Sequence, residues 1–460
     1  LAFALVVMLA FEPNTLSDVS FQLSLAAVAA LQRVFPALRD RWVPSLPTWP
    51  WWRRAPVELI LASLAATIGT APLMARHFGQ LSVVGLVANI PAVPLSSVVL
   101  VPLSLVGGLV STVSGALAAP IFWLAGWAAE LLAVIARVTA ELPGAALRVP
   151  TPTVFECVCL YGASLGLTVR ARTRAPRWIA IACIVSACAS FGISVAERYL
   201  TRTARIVFLP VGQGDAAVAE LPGGKVVVVD TGPSSDARDA AERVILPYLR
   251  SRRIGRVDLL VLTHPHADHV GGLATLAREI PIGAVWWNGD EREVDPALLA
   301  PLRELDAEIV WAREERVSVG DARLRILWPP RTPDAPLAAN DGSIVLSLSI
   351  GARSILFTGD IEADAERELV RRCASCLSAD VLKAPHHGSR TSSTRAFIDA
   401  VAPKDVVMLV GKGNHFGFPH RDVVDRYTAS GATIWRTDLD GAITIRTDGV
   451  VLGVERYVGK

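Results

Sequence analysis

Three histidines and an aspartate fall within six residues, at His264, His266, Asp268 and His269 in the run Thr263-His-Pro-His-Ala-Asp-His-Val-Gly-Gly272. Neutral imidazole and carboxylate together suit zinc, manganese or iron. The preceding Val257-Asp-Leu-Leu-Val-Leu262 has the composition of a buried strand, and Pro265 stops strand and helix alike, so the set sits on a loop at a strand end. A solvated polar loop would account for a lone His-x-His, but four candidate ligands behind an apolar strand point to a metal site. Two other apolar strands end in ligands. Ser354-Ile-Leu-Phe-Thr-Gly-Asp360 delivers Asp360, and Ala379-Asp-Val-Leu-Lys-Ala-Pro-His-His-Gly-Ser389 delivers His386 and His387. The three turns carry enough donors for two adjacent divalent ions, zinc or manganese. Such a pair would acidify a water and stabilise the oxygens of a phosphodiester displacement, with Asp268 orienting the nucleophile as well as binding metal. Lys383, His387, Ser389 and Arg390 either contact phosphate oxygens or support the turn and face solvent. Asp230 and Asp215 either orient the ligating imidazoles or are turn residues. His415 and His420 line the cleft or belong to a surface loop.

The elements that must position these groups are strand-rich. Arg205–Val211, Lys225–Asp230, 257–262, 283–287, 308–312, 322–328, 344–350, 354–358, 380–384, 405–410, 433–436 and 441–446 read as strands, and 238–252, 296–305, 361–373, 393–401 and 420–429 as helices. Strands outnumber helices and come in runs, which favours two packed sheets with outer helices. The proline-rich stretch Trp328 to Pro336 reads as a loop.

The first half is of another kind. The chain has 460 residues, 52% of them hydrophobic, and a mean hydropathy of +0.42. The excess is concentrated before about residue 197, which predicts a polytopic membrane domain over 1–199 and a water-facing domain over 200–460. Apolar spans fall near 1–11, 19–36, 57–75, 81–111, 117–139, 153–170 and 178–196, the first reading as the truncated end of a longer protein. Arg39 to Arg54 mixes arginine with Trp42, Trp49, Trp51 and Trp52, as suits a membrane surface. Asn89, Pro91, Pro94 and Pro102 interrupt 81–111, which marks either a broken helix beside a pore or a kinked packing helix. Arg170, Arg172, Arg174 and Arg177 favour the cytoplasm, which sends the final helix outward and leaves the second domain outside the cytoplasm; Arg198, Arg202 and Arg205 beyond that helix reduce the asymmetry. A net charge of +2 neither supports nor excludes nucleic acid as a partner.

The ligand turns resemble the successive motifs of the metallo-β-lactamase superfamily, an αββα sandwich. The wider wording is similar to the ComEC family of competence DNA-uptake channels: Val211-Gly-Gln-Gly-Asp-Ala216, Asp230-Thr-Gly232, Leu262-Thr-His-Pro-His-Ala-Asp-His269, Leu382-Lys-Ala-Pro-His-His-Gly-Ser389 and Arg436-Thr-Asp438 with Gly441-Ala442 in the second half, Asp18-Val-Ser-Phe-Gln-Leu-Ser24, His77-Phe-Gly-Gln-Leu-Ser82 and Ala88-Asn-Ile-Pro-Ala-Val-Pro94 in the first. The resemblance implies His264 and His266 on one metal, Asp268, His269 and His386 on the other, and Asp360 bridging. No histidine lies between His269 and His386, where the superfamily commonly has one, so Asn340, Asp341 or water is expected to complete the first site.

The resemblance further implies a multi-pass protein of the inner or plasma membrane, in contact with lipid, that passes single-stranded DNA and degrades the other strand, with other competence-machinery proteins as partners and a homo-oligomer as a candidate assembly. Two alternatives stand beside it: a membrane-tethered hydrolase of another phosphoester or small molecule, and a channel whose second domain has lost catalysis. Cys157, Cys159, Cys183 and Cys188 fall in apolar spans, while Cys373-Ala-Ser-Cys376 has no second pair to complete a zinc site and suits a local disulfide outside the cytoplasm.

Overall fold

The computed structural model describes residues 8, 10–169, 174–235, 238–288, 296–305, 307–311, 316–330 and 337–457. Most of the first span, Arg170 and Arg172, and residues 331–336 of the proline-rich stretch lie outside the described residues. The chain divides into two compact units, Leu1–Ile193 and Ser194–Lys460.

Among the described residues, unit one is built on helices long and apolar enough to cross a bilayer: Val19–Trp42, Trp51–Phe78, Gly85–Ser111 and Gly115–Ala140, with Ala175–Leu200 entering from its end. Val154–Thr168 is shorter, and a capping box of Thr153 and Glu156 fixes its start. Small residues let the first two helices approach closely: a Cβ on Gly69 would lie 2.3 Å from the Ala30 Cβ. These helices also join two of the quoted motifs, since His77 Nε2 lies 2.8 Å from Gln22 Oε1. The proline-rich run forms one continuous helix, Gly85–Ser111, with a π-helical stretch at Leu95–Leu100 just after Pro94, in place of separated half-helices. Strands β1 (Gln80–Ser82) and β2 (Ala146–Arg148) pair antiparallel, tying the turn before this helix to the turn after Gly115–Ala140.

Unit two is the αββα sandwich expected. One sheet runs in the order β8 (Glu308–Trp311), β7 (Ile282–Trp287), β6 (Val257–Leu262), β5 (Val226–Val229), β4 (Ala217–Glu220), β3 (Ala204–Phe208), β16 (Ala442–Thr447), β17 (Leu452–Tyr457). The other follows chain order: β9 (Arg316–Val319), β10 (Ala322–Trp328), β11 (Val345–Ile350), β12 (Arg353–Phe357), β13 (Val381–Lys383), β14 (Asp405–Met408) and β15 (Thr433–Arg436). Strands β5 to β8 are mutually parallel, as are β12 to β15, and the rest of each sheet is antiparallel. Period-two alternation divides each central strand between two cores. In β6, Leu259 and Val261 face the other sheet beside Phe208, Phe357 and Val407, whereas Val257, Leu260 and Leu262 face the outer helices through Leu246, Leu249, Leu273 and Leu276. The second sheet covers its outer face with Leu369, Phe397, Val401 and Tyr427.

Candidate metal centre

Parallel strands leave their carboxyl ends on one edge, and in both sheets that edge carries the ligand turns. β5 ends at Asp230, β6 at Thr263-His264, β12 at Thr358-Gly359-Asp360, and β13 at Ala384-Pro385-His386-His387. The turns are locked together. Ile344 N donates to Thr263 O at 2.9 Å, and Asp360 N to Ser343 Oγ at 3.1 Å, which joins the two sheets across the edge. Asp215 N donates to Asp268 O at 3.2 Å. Gly214 allows this approach, because it sits at φ 135° and a Cβ there would lie 2.2 Å from the Asp268 carbonyl.

One donor atom each from Asp268, His269, Asp360 and His387 gathers with all separations within 4.8 Å. Asp360 Oδ2 lies 3.3 Å from His269 Nε2 and 3.2 Å from His387 Nε2, and Asp268 Oδ2 lies 3.5 Å from His387 Nε2. The opposite ring nitrogens are already committed. His269 Nδ1 is 2.8 Å from Asp230 Oδ2, and His387 Nδ1 is 2.9 Å from Leu409 O and 3.2 Å from Asp215 Oδ1. These acceptors require Nδ1–H, so on each ring Nε2 is the nitrogen left to face the cluster, where it can carry a proton or bind a cation. Asp230 is held in turn by Thr263, whose N and Oγ1 each donate to it at 2.8 Å.

The residues fit a divalent cation. The Nε2 atoms of His264, His269 and His387 are buried without a hydrogen-bond partner, and an orphaned buried nitrogen is costly unless something binds it. Electrostatics agree: burial opposes charge on His269, yet Asp360 and Asp230 hold it well above the usual imidazole range, and Asp360 and Asp215 do the same for His387. Burial also opposes ionisation of Asp360, but His387, His269 and Lys383 hold it well below the usual carboxylate range. An acidic cage that attracts protons so strongly attracts metal cations for the same reason. His264 differs, because burial and the neighbouring His269 push it well down and leave a neutral ring. Its centroid is 4.1 Å from that of His269 and 4.7 Å from that of His266, so these two rings adjoin the four-atom cluster without entering it.

Three placements differ from the sequence expectation. The ring inside the cluster is His387, while His386 Nε2 stands 4.0 Å from Asp360 Oδ2 and its Nδ1 is 3.0 Å from Glu362 Oε1. Both residues adopt left-handed backbone, at φ 46° and 52°, a twist that decides which ring turns inward and that residue spacing does not reveal. Lys383, expected either to contact phosphate or to support the turn and face solvent, is 1% exposed and directs its ammonium inward to Gly359 O at 2.7 Å, Asp360 Oδ1 at 3.1 Å and Asp215. Those acceptors use its three donors, and the two carboxylates raise its pKa against the pull of burial. Asn340 and Asp341, expected to complete the first site, instead engage Glu362: Asn340 Nδ2 donates to its Oε1 at 3.2 Å, and its N donates to Asp341 Oδ1 at 2.8 Å. Glu362 itself escaped the sequence reading, since a glutamate before a helix looks like a cap. Ser389 bonds Thr391, and Arg390 is exposed beside Asp422 at 3.6 Å.

A fold of two mixed sheets whose parallel edges hold clustered histidine and aspartate defines a metallo-β-lactamase domain, and residues 209–412 match the family described as the metallo-beta-lactamase superfamily. Residues 1–174 match the family described as competence protein. The chain carries, in order, the two domains that its resemblance to the ComEC family of competence proteins implies. It is 27% identical over 467 residues to ComE operon protein 3 of Bacillus subtilis (strain 168) and 28% identical over 440 residues to competence protein ComA of Neisseria gonorrhoeae, covering in each case 96% of this chain and 57% of the relative. The chain thus spans little more than half the length of these relatives. Among solved structures, the Rm3 metallo-beta-lactamase aligns at 18% identity with a TM-score of 0.29, over 43% of this chain and 89% of its own.

Proposed function

We propose that this chain serves DNA internalisation during natural transformation, its first unit forming a membrane path for single-stranded DNA and its second a metal-dependent nuclease that degrades the strand left outside. The observation that carries the reading is the convergence of Asp268, His269, Asp360 and His387, with their orphaned nitrogens, in a chain whose first half is of competence type. Divalent cations in such a site acidify a water and neutralise charge on a phosphodiester. Asp230 and Asp215 fix the imidazole tautomers, Lys383 anchors Asp360 from behind, and Asp268, with a third of its side chain exposed, is placed to orient a nucleophile at the rim. His264 and His266 would hold a second ion. Asp360, with Lys383 donating to its Oδ1, would be the carboxylate shared between the two ions.

The test uses the whole chain in detergent. With manganese or zinc it should cut single-stranded DNA, EDTA should stop it, and Asp268→Ala or His269→Ala should lower the rate by at least about a hundredfold, as loss of an activating ion does. A wild type that cuts no DNA under either metal, yet hydrolyses another phosphoester in a manner that needs Asp268, would replace this reading with that of a tethered hydrolase.

A further inference from the structure

The turn after β14 carries a feature that the metal chemistry does not use. Phe416 and Phe418 stack with centroids 5.4 Å apart and planes 18° from parallel, and Phe418 continues onto His387 at 6.3 Å and 25°. Three nearly parallel rings therefore run from the metal cluster outward. The column ends at Phe416, which is 63% exposed.

The turn is held in place. Asn414 Nδ2 donates to Gly411 O and Phe418 O, and Phe418 N donates back to Asn414 Oδ1. Gly411 N donates to Gln213 Oε1 at 3.3 Å on the opposite sheet, and His420 N to Gly388 O at 3.0 Å beside the histidine turn. Rings fixed in this way give up little conformational freedom to a ligand. Lys412 on the same turn is exposed, as are Arg390, 3.6 Å from Asp422, and Arg421, 3.9 Å from Asp425. A flat aromatic face stacked outward from a candidate metal site, with an exposed lysine on the same turn, matches the parts that hold single-stranded nucleic acid.

We propose that Phe416 is a stacking platform for a nucleobase of single-stranded polynucleotide, gripping the strand beside the bond presented to the metal centre. The placement of that bond rests on the nuclease reading above; the stacking does not. Because every base has a π face, the platform holds any sequence. It also discriminates a polynucleotide from a phosphoester without a base.

Fluorescence anisotropy of a labelled oligothymidylate on the whole chain, with calcium replacing manganese, tests this, alongside an abasic oligomer of equal length. Phe416→Ala should weaken oligothymidylate binding roughly 5- to 150-fold, the range that one base–aromatic contact supplies, and leave the abasic oligomer unchanged. Phe416→Trp should restore binding. Equal oligothymidylate affinity in wild type and Phe416→Ala overturns the proposal, as does an equal loss for both oligomers. Loss of binding to phosphatidylglycerol vesicles by Phe416→Ala, with no oligothymidylate binding by wild type, overturns it in favour of a membrane contact. Cleavage scored in manganese separates the two readings. A protein that binds through Phe416 but never cuts sinks the nuclease and keeps the platform; one that cuts while Phe416→Ala binds normally does the reverse.

Discussion

Asp230 shows how much of a candidate metal centre is decided by the side chain behind an imidazole. It accepts from His269 Nδ1 and from Thr263 N and Oγ1, and its backbone at φ 60° turns the carboxylate back beneath the histidine turn. In Asp230→Asn the amide group has two arrangements. If NH2 faces His269, Nδ1 becomes the acceptor, the proton moves to Nε2, and the lone pair aimed at the cluster is lost. If NH2 takes the Oδ1 position, it meets the Thr263 N–H, a donor against a donor. Either way the cluster weakens while shape is kept. We expect divalent-ion affinity, measured by competition with a chelating indicator, to fall roughly 10- to 100-fold, the usual cost of losing such a partner, with an unchanged circular dichroism spectrum. Undiminished affinity would show that Asp230 serves the fold alone. At this scale the sequence was legible in type but not in orientation. It marked Asp230, Asp268, His269 and Asp360 by their place at strand ends. Which of His386 and His387 points inward, and whether Lys383 points out or in, depend on the backbone twist at residues 386 and 387 and on partners such as Asp215 that are remote in sequence.

Among the elements, the loop between β3 and β4 is the one whose role is most easily overlooked. Val211-Gly-Gln-Gly-Asp-Ala216 lies outside the cluster of Asp268, His269, Asp360 and His387, yet it backs onto the ligand turn through Asp215 N to Asp268 O, and it braces the aromatic turn through Gln213. Gly214→Ala would place a methyl 2.2 Å from the Asp268 carbonyl at a φ of 135°, where an L side chain is strained regardless of space. The main chain at Asp268 must shift to make room. We expect a loss of about 2–4 kcal/mol in stability, in line with strain plus overpacking, and a larger fractional loss of metal binding than of melting temperature. Calorimetry and metal analysis of one preparation check this, and a variant that melts lower with full metal content would confine the loop to a structural role. The elements that patterning missed are informative for the same reason. β4, Ala217-Val-Ala-Glu220, is rich in helix-favouring alanine and is a strand because Val207 and Val228 flank it in the sheet. β17, Leu452-Gly-Val-Glu-Arg-Tyr457, is a half-exposed edge whose only partner is β16. β6, β12 and β13, buried on both faces, carry their own signal and were read almost to their ends.

For the whole chain, the question that separates a channel-coupled nuclease from a cytoplasmic enzyme is the side of the membrane on which unit two lies. The pairing of β1 with β2 requires the turns at residues 80 and 147 to share one face, so an even number of crossings separates them. Gly85–Ser111 and Gly115–Ala140 provide two, which supports counting the proline-rich run as a single crossing. With that count, and with the shorter Val154–Thr168 also crossing, the basic turn ending at Arg54 and the arginines before Trp178 fall on the same side, and positive charge favours the cytoplasm for both. We propose on this basis that the final long helix leads outward. Chemistry in unit two agrees: Cys373 and Cys376 form a disulfide, a bond that persists in oxidising compartments and is rare in the cytosol. Two measurements in intact cells follow from this. Alkaline phosphatase fused after Arg202 should be active, whereas a fusion in the turn at Leu46 should be inactive. Cys373 and Cys376 should resist a membrane-impermeant maleimide until an impermeant reductant is added, then react without lysis. Phosphatase activity at Leu46 in place of Arg202 would invert the topology. Labelling that needs lysis would put the metal centre in the cytoplasm, where it would meet the strand that has entered instead of the one left behind.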